Sequence, residues 1–187
     1  LNHQLMNFNS AKEAMEHGFA MITEERKANG LFLKGDLTFN TTIANLNAYK
    51  NGVALSDPKM VRATSKEIKT MHTKCMGPDD MISSLSGGNQ QKVIFGKWLE
   101  REPQVFMMDE PTRGIDSEGV DTFIEMLETL FADKILIVVT HNIKVAEHCS
   151  RMLVMYNGEI MELGDSKEIL EHTTHPYSKS LLRDIPT

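Results

Sequence analysis

Leu85-Ser86-Gly87-Gly88-Asn89-Gln90-Gln91, followed by Val105-Phe106-Met107-Met108-Asp109-Glu110-Pro111, is the stretch whose reading decides the fold. The first part places a hydroxyl and two glycines at the start of a helix predicted over 89–100, which Pro103 stops. Free backbone N–H groups and the positive end of the helix dipole suit an anion there, and the missing Cβ atoms permit close approach. Taken alone, the same residues read better as a serine cap with flexible glycines. The second part predicts a buried strand over 105–108 with two carboxylates, Asp109 and Glu110, at its carboxyl end. Ligands of open α/β sheets sit at that edge. One carboxylate there can hold Mg²⁺ while its neighbour faces an attacking water.

Working outward, residues 135–139 (Ile-Leu-Ile-Val-Val) form a second predicted buried strand, and Thr140-His141 follows it at the same sheet edge. Between the two strands a helix over 118–131 carries Phe123, Met126, Leu127 and Leu130 on one face. Upstream, Ser10 caps a short helix over 10–17 and Gly18 ends it before a strand over 19–22. A charged loop, Thr23-Glu24-Glu25-Arg26-Lys27, then runs to Asn29-Gly30. Residues 31–84 are polar and lack strong β runs, which predicts a mostly helical lobe with helices near 40–46 and 58–71 and a turn at Gly77-Pro78-Asp79-Asp80. Downstream, a helix over 144–149 leads to a strand over 152–155. Asn157-Gly158 turns that strand into a second one over 159–163, and helices follow at 167–171 and 176–182. Strands alternating with helices imply an α/β fold with a mostly parallel sheet, closed by one antiparallel hairpin.

Composition sets the class. The chain has 187 residues, 41% hydrophobic and 25% charged, enough for a packed core in one domain or one domain with a small lobe. Aromatics are only 6% against 13 methionines, so aliphatic and Met side chains must fill most of that core. The net charge of −6 argues against nucleic acid as a partner. Cys75 and Cys149 are too few for a disulfide framework or a zinc cluster, which points to a reducing, cytosolic setting. No stretch has the apolar length of a membrane span, and no basic segment precedes an apolar one at the start.

Taken jointly and in order, Leu85-Ser86-Gly87-Gly88, Asp109-Glu110-Pro111-Thr112, Gly114-Ile115-Asp116 and Thr140-His141 resemble the nucleotide-binding domain of ATP-binding cassette (ABC) transporters, a P-loop NTPase fold. By that resemblance residues 85–91 are the signature motif, residues 105–110 the Walker B strand, residues 113–116 the D-loop and His141 the H-loop histidine. Glu24 stands in the Q-loop place, where most members have glutamine. The resemblance is strongest to the second ATPase half of sugar importers, of the galactose/methyl-galactoside and ribose types. It rests on Glu24-Glu25-Arg26-Lys27, Asn29-Gly30-Leu31, the signature run through Lys92-Val93, and Pro111-Thr112-Arg113-Gly114-Ile115-Asp116. The tail from His175 to Leu182, with Ile185-Pro186, is similar to peptide-importer ATPases instead.

The resemblance implies an ATP-hydrolysing importer subunit on the cytoplasmic face of a membrane. Glu110 and His141 are then catalytic and Asp109 is the metal site. Ser86, Gly87, Gly88, Gln90, Glu24 and Asp116 contact the nucleotide, with ATP and Mg²⁺ as the bound species. Its partners are a second ATPase half and transmembrane permease subunits. The division it suggests is a start of the core over 1–30, a helical lobe over 31–84, an α/β core over 85–164 and a helical tail over 165–187. No Gly-Lys-Ser or Gly-Lys-Thr of a phosphate-gripping loop occurs in the chain, which begins at Leu1, so a later part of a longer domain is expected. Such a part is not expected to act alone. In the family the phosphate-loop strand lies beside the His141 strand, so apolar edges are expected to be exposed around 135–139 and 152–155. The alternatives are a non-hydrolysing partner fragment, a peptide-type importer ATPase, or a soluble ABC protein of DNA repair or translation.

Overall fold

The structure is a computed structural model that describes residues 5–183. Helix α1 (Ala11–Glu16) starts where Ser10 Oγ accepts the Glu13 N–H at 3.2 Å, and it ends at Gly18, whose φ of +82° few other residues adopt. The Gly18 carbonyl then accepts the N–H groups of Gln104 and Val105, which sets strand β1 (Phe19–Ile22) alongside its later partner. After β1 the chain makes one π-helical turn, Arg26–Gly30, where the sequence predicts only a charged loop. Helix α2 (Leu37–Thr42) is capped by Asp36, whose carboxylate accepts the Phe39 N–H at 2.7 Å. A 3₁₀ segment, Ile43–Tyr49, and a two-residue hairpin, β2 (Lys50–Asn51) with β3 (Ala54–Leu55), follow before helix α3 (Asp57–Thr70). That hairpin is not foreseen from the sequence beyond its Asn51-Gly52 turn.

The later elements are helix α4 (Gly87–Leu99), strand β4 (Val105–Asp109), helix α5 (Ser117–Leu130), strand β5 (Ile135–Val139) and helix α6 (Ile143–Ala146). Strands β6 (Arg151–Tyr156) and β7 (Glu159–Asp165) and helices α7 (Ser166–His172) and α8 (Pro176–Arg183) complete the described chain. Strands β1, β4 and β5 form a parallel three-stranded sheet in the order β1-β4-β5. The fold is α/β with a parallel sheet, as expected. Strands β6 and β7 do not close that sheet: among the described residues they pair only with each other, through the Asn157-Gly158 turn, in which both residues have positive φ.

One face of the parallel sheet is covered. Ala20, Ile22, Phe106 and Met108 point into a core shared with Val93, Ile94 and Phe95 of α4 and with Val120, Phe123, Ile124 and Leu127 of α5. Phe131 anchors it, with edge-to-face contacts to Phe106 at 4.8 Å and to Phe95 at 6.0 Å between ring centroids. Leu31, Leu37, Met71 and Ile82 join the same core, so the polar stretch 31–84 packs on α4 rather than standing apart. Buried Asn40 secures its entry loop by accepting the Phe32 N–H at 2.8 Å and donating to the Phe32 and Asp36 carbonyls.

The opposite face is largely open, with Val105 the buried exception on β4. The register aligns Met21, Met107 and Ile137 across the three strands, and Ile135, Ile137 and Val139 are 54%, 52% and 59% exposed. The expectation of a second buried strand at 135–139 is therefore corrected. Strand β5 is an edge strand with one covered row, Leu136 and Val138, and one bare row. The exposed apolar edge anticipated at that strand is present, as it is at Leu153 and Met155 of β6.

Candidate functional site

Two groups of the predicted site residues assemble, joined by the segment 110–116. The first lies at the carboxyl ends of β4 and β5. Asp109 is the last residue of β4, and the next residue, Glu110, has a φ of +43°, a left-handed conformation that a glutamate adopts at a cost of about 1–3 kcal/mol. The Glu110 N–H is tied to the Val139 carbonyl at 2.9 Å, which turns the chain across the end of β5. That turn brings Glu110 Oε1 to the His141 backbone N–H at 2.9 Å, with His141 Nε2 at 3.6 Å. The Glu110 side chain is largely buried whereas that of His141 is almost fully exposed. The sheet edge thus presents two adjacent carboxylates, one of them oriented by a hydrogen bond, and one exposed imidazole beside it.

Among the described residues no group of three or more His, Cys, Asp or Glu side chains converges. A cation beside Asp109 would therefore have fewer than three such protein ligands. That donor set suits Mg²⁺, which commonly takes one or two carboxylates and completes its shell with water and phosphate oxygens.

The second group surrounds a cleft of about 390 Å³ between the first turns of α4 and α5. Ser86, Gly87 and Gly88 line one wall, Gly114, Ile115 and Asp116 the other, and Phe95, Phe123 and Met126 the floor. Ser86 Oγ does not cap the helix but accepts from Asn89 Nδ2 at 2.9 Å, so the first N–H groups of α4 receive no side-chain cap. A Cβ on Gly88 would meet nothing within 4 Å, which leaves its backbone open to the cleft. Asp116 is the N-cap of α5, accepting the Gly119 N–H at 2.8 Å, so its carboxylate is partly engaged in holding its own helix.

Gln90 does not reach this cleft. It is 5% exposed, and its Nε2 donates to the carbonyls of Ile82 and Leu85 at 3.1 Å each. The residue sits on the inward side of α4, and its amide braces the loop that leads into the helix. Its neighbour Gln91 lines the cleft instead. Glu24 is likewise engaged within the chain, paired through its carboxylate with Arg113. The sequence places Arg26 only in a charged run, and its contacts are not foreseen: its guanidinium donates to the Arg113 carbonyl at 3.0 Å and lies against Gly87 and Gly114. The available signal was a charged run next to the Q-loop position. Lys97, which follows Gly96 and looks superficially like a phosphate-binding lysine, is buried and donates to the Gly30 carbonyl at 2.6 Å. Burial pulls its ammonium down to about 8.

No family model matches the chain. The chain is 46% identical over 175 residues to the galactose/methyl galactoside import ATP-binding protein MglA of Treponema denticola, covering 92% of this chain and 35% of that protein. It is 41% identical over 171 residues to the MglA protein of Escherichia coli strain K12, covering 89% and 34% respectively. The chain thus spans about a third of the length of the curated relatives it matches. Among solved structures, the ATP-binding cassette MJ1267 of an ABC transporter superposes with a TM-score of 0.72 at 21% identity, over 90% of this chain and 70% of that one. The ATP-binding cassette MJ0796, in a dimeric post-hydrolysis state bound to ADP and Pi, gives 0.70 at 21% identity over 86% and 68%. The fold, the ordered motifs and these relatives make the chain a member of the ATP-binding cassette family, homologous to about a third of a sugar-import ATP-binding protein.

Proposed function

We propose that the chain is part of the ATP-hydrolysing subunit of an ABC importer for sugars, and that it carries the hydrolytic carboxylates and the signature cleft. The observation that carries this reading is Glu110, held in a left-handed backbone conformation at the end of β4 with one oxygen fixed by the His141 N–H. A carboxylate so placed can orient a water and accept its proton, while its second oxygen stays available. Asp109, adjacent at the strand end, would hold Mg²⁺, which when bound neutralises phosphate charge. The exposed imidazole of His141 is free to contact a terminal phosphate. Because Ser86, Gly87, Gly88 and Asp116 line a cleft that includes neither Asp109 nor Glu110, the two groups would serve different nucleotides. The cleft would meet the one held by a second ATPase half. Residues 31–84 and the Glu24 segment would face the permease subunits at the cytoplasmic side of the membrane. No described helix is long and apolar enough to cross a membrane, so attachment would run through those subunits.

A sugar is preferred to a peptide as cargo because the named relatives are sugar-import proteins matched along nine-tenths of the chain. Glu110→Gln in the full-length protein tests the reading. Nucleotide binding should persist while turnover falls about 10²–10⁴-fold. Turnover near the wild-type rate would overturn the assignment of Glu110.

A further inference from the structure

We propose that Arg26 is a positioning residue that locks the first turn of α4 against the Gly114 turn, with the Glu24–Arg113 ion pair as the second half of the same latch. Three segments far apart in sequence meet there. Arg26 NH1 donates to the Arg113 carbonyl across 87 positions of sequence, and Glu24 pairs with the Arg113 side chain across 89. Arg26 NH2 occupies the place where a side chain on Gly87 would begin, 2.7 Å from an ideal Cβ there, and lies 3.5 Å from one on Gly114. A Cβ on Gly87 would also stand 3.5 Å from the Gly114 carbonyl. Gly87 therefore makes room for the guanidinium, whereas at Gly114, where a Cβ would only touch it in ordinary van der Waals contact, glycine is required by the φ of +67°.

The chemistry favours arginine over lysine. A planar fork can donate to a carbonyl with one nitrogen while its other nitrogen lies flat on a glycine backbone, and an ammonium cannot do both. Glu24 and Arg113 satisfy each other, and among the described residues no carboxylate lies within ion-pair distance of Arg26. Its charge stands beside the positive end of α4, an arrangement unfavourable by itself and relieved by an anion in the cleft. Movement of the Glu24–Arg26 segment is thereby transmitted by contact to both walls of the cleft. The importance of this latch for ATP hydrolysis rests on the function proposed above, but its existence does not.

Amide hydrogen exchange on this chain tests it. The reporters are the Gln90 and Ile115 amides, which donate to Ser86 and Thr112 carbonyls at 2.9 and 3.2 Å, one on each side of the latch. Arg26→Ala should speed exchange at both by about tenfold or more, with an unchanged denaturation midpoint, because local opening becomes easier without loss of the core. Arg26→Lys should recover only part of the protection. Glu24→Arg and Arg113→Glu should each speed exchange, and the double charge swap should restore it, a rescue that loss of simple packing would not give. Unaltered exchange in Arg26→Ala, or single effects that merely add in the double variant, would overturn the proposal. A wild-type full-length protein that hydrolyses no ATP would sink the functional reading and leave the exchange result standing.

Discussion

Strands β4 and β5 are both five residues long and β5, all Ile, Leu and Val, is the more apolar, yet β4 is central and buried whereas β5 has a bare face and, among the described residues, a bare edge. Phe106 and Met108 of β4 are almost wholly enclosed between β1, β5 and the two covering helices, whereas the outward row of β5 is more than half exposed. A continuous aliphatic run, mostly β-branched, such as Ile135-Leu136-Ile137-Val138-Val139 suits a strand buried on both faces. Here only one face has a partner. The run therefore records what the strand is suited to bury, and the structure records what this stretch of chain alone supplies to bury it.

The largest effect should come from the covered side. Phe106→Ala would empty space between Phe131 and the sheet and should cost about 3–5 kcal/mol in denaturant unfolding. Ile137→Ala, one strand away in the bare row, should cost under about 1 kcal/mol because its side chain already meets solvent. Equal losses at the two positions would mean that the bare face is covered in solution.

Glu67 sharpens the contrast from inside. It is buried between α3 and α4, its Oε2 has no hydrogen-bond partner, and it lies 2.8 Å from where a side chain on Gly96 would begin. Burial first, and the Glu100 carboxylate second, push its carboxyl up from 4.5 to about 7. A raised value means that the folded state prefers the protonated form. The stabilisation is complete below about 4.5 and is lost as pH rises through 7, a change of about 3 kcal/mol for such a shift. Unfolding measured from pH 4 to pH 8 should show that decline, and Glu67→Gln should flatten it. A pH-independent wild type would show that the carboxylate is hydrated in the folded state.

The same contrast explains what could be read in advance. The bounds of β1 and β5 follow from short apolar runs with turn residues at their ends, α5 from its apolar periodicity, and α4 to within two residues from the glycines at its start and Pro103 after its end, because these are local properties. The grouping of Asp109, Glu110 and His141 was legible for the same reason: adjacent parallel strands present their carboxyl ends at one edge. The bare row of β5 was not, since exposure depends on elements that do not pair with it here. Gln90 and Gln91 are neighbours of one residue type, and only the helix rotation, fixed by Phe95 and Val93 packing inward, decides which of them faces the cleft. The contact of Arg26 with Gly87 and Gly114 joins positions far apart in sequence, so no spacing rule points to it.

A smaller effect belongs to the cleft. Asp116→Ala removes the cap acceptor of α5 and should cost about 1 kcal/mol, whereas Asp116→Asn should restore most of it, because an amide oxygen still accepts the Gly119 N–H. If Asp116 also meets nucleotide in the full-length protein, Asp116→Asn should lower ATPase activity while leaving the unfolding midpoint in place. Loss of both together would assign Asp116 to the helix alone.

The smallest change in folding stability should accompany the clearest change in association. The outward row of β5, continued by Met107 of β4 and Met21 of β1, is an apolar surface next to a strand edge that is unpaired among the described residues, the combination that promotes pairing between chains. The wild-type chain should therefore show a weight-average mass that rises with concentration in sedimentation equilibrium. Ile137→Lys places a charge in the middle of that row. Its long stem can lie along the sheet while the ammonium stays in water, so folding stability should shift by no more than about 0.5 kcal/mol. The charge repels a second copy presenting the same residue, so the mass should return toward that of a monomer, most completely at low salt, where screening is weakest. A wild type that stays monomeric at high concentration would mean that the bare face of β5 does not drive association by itself.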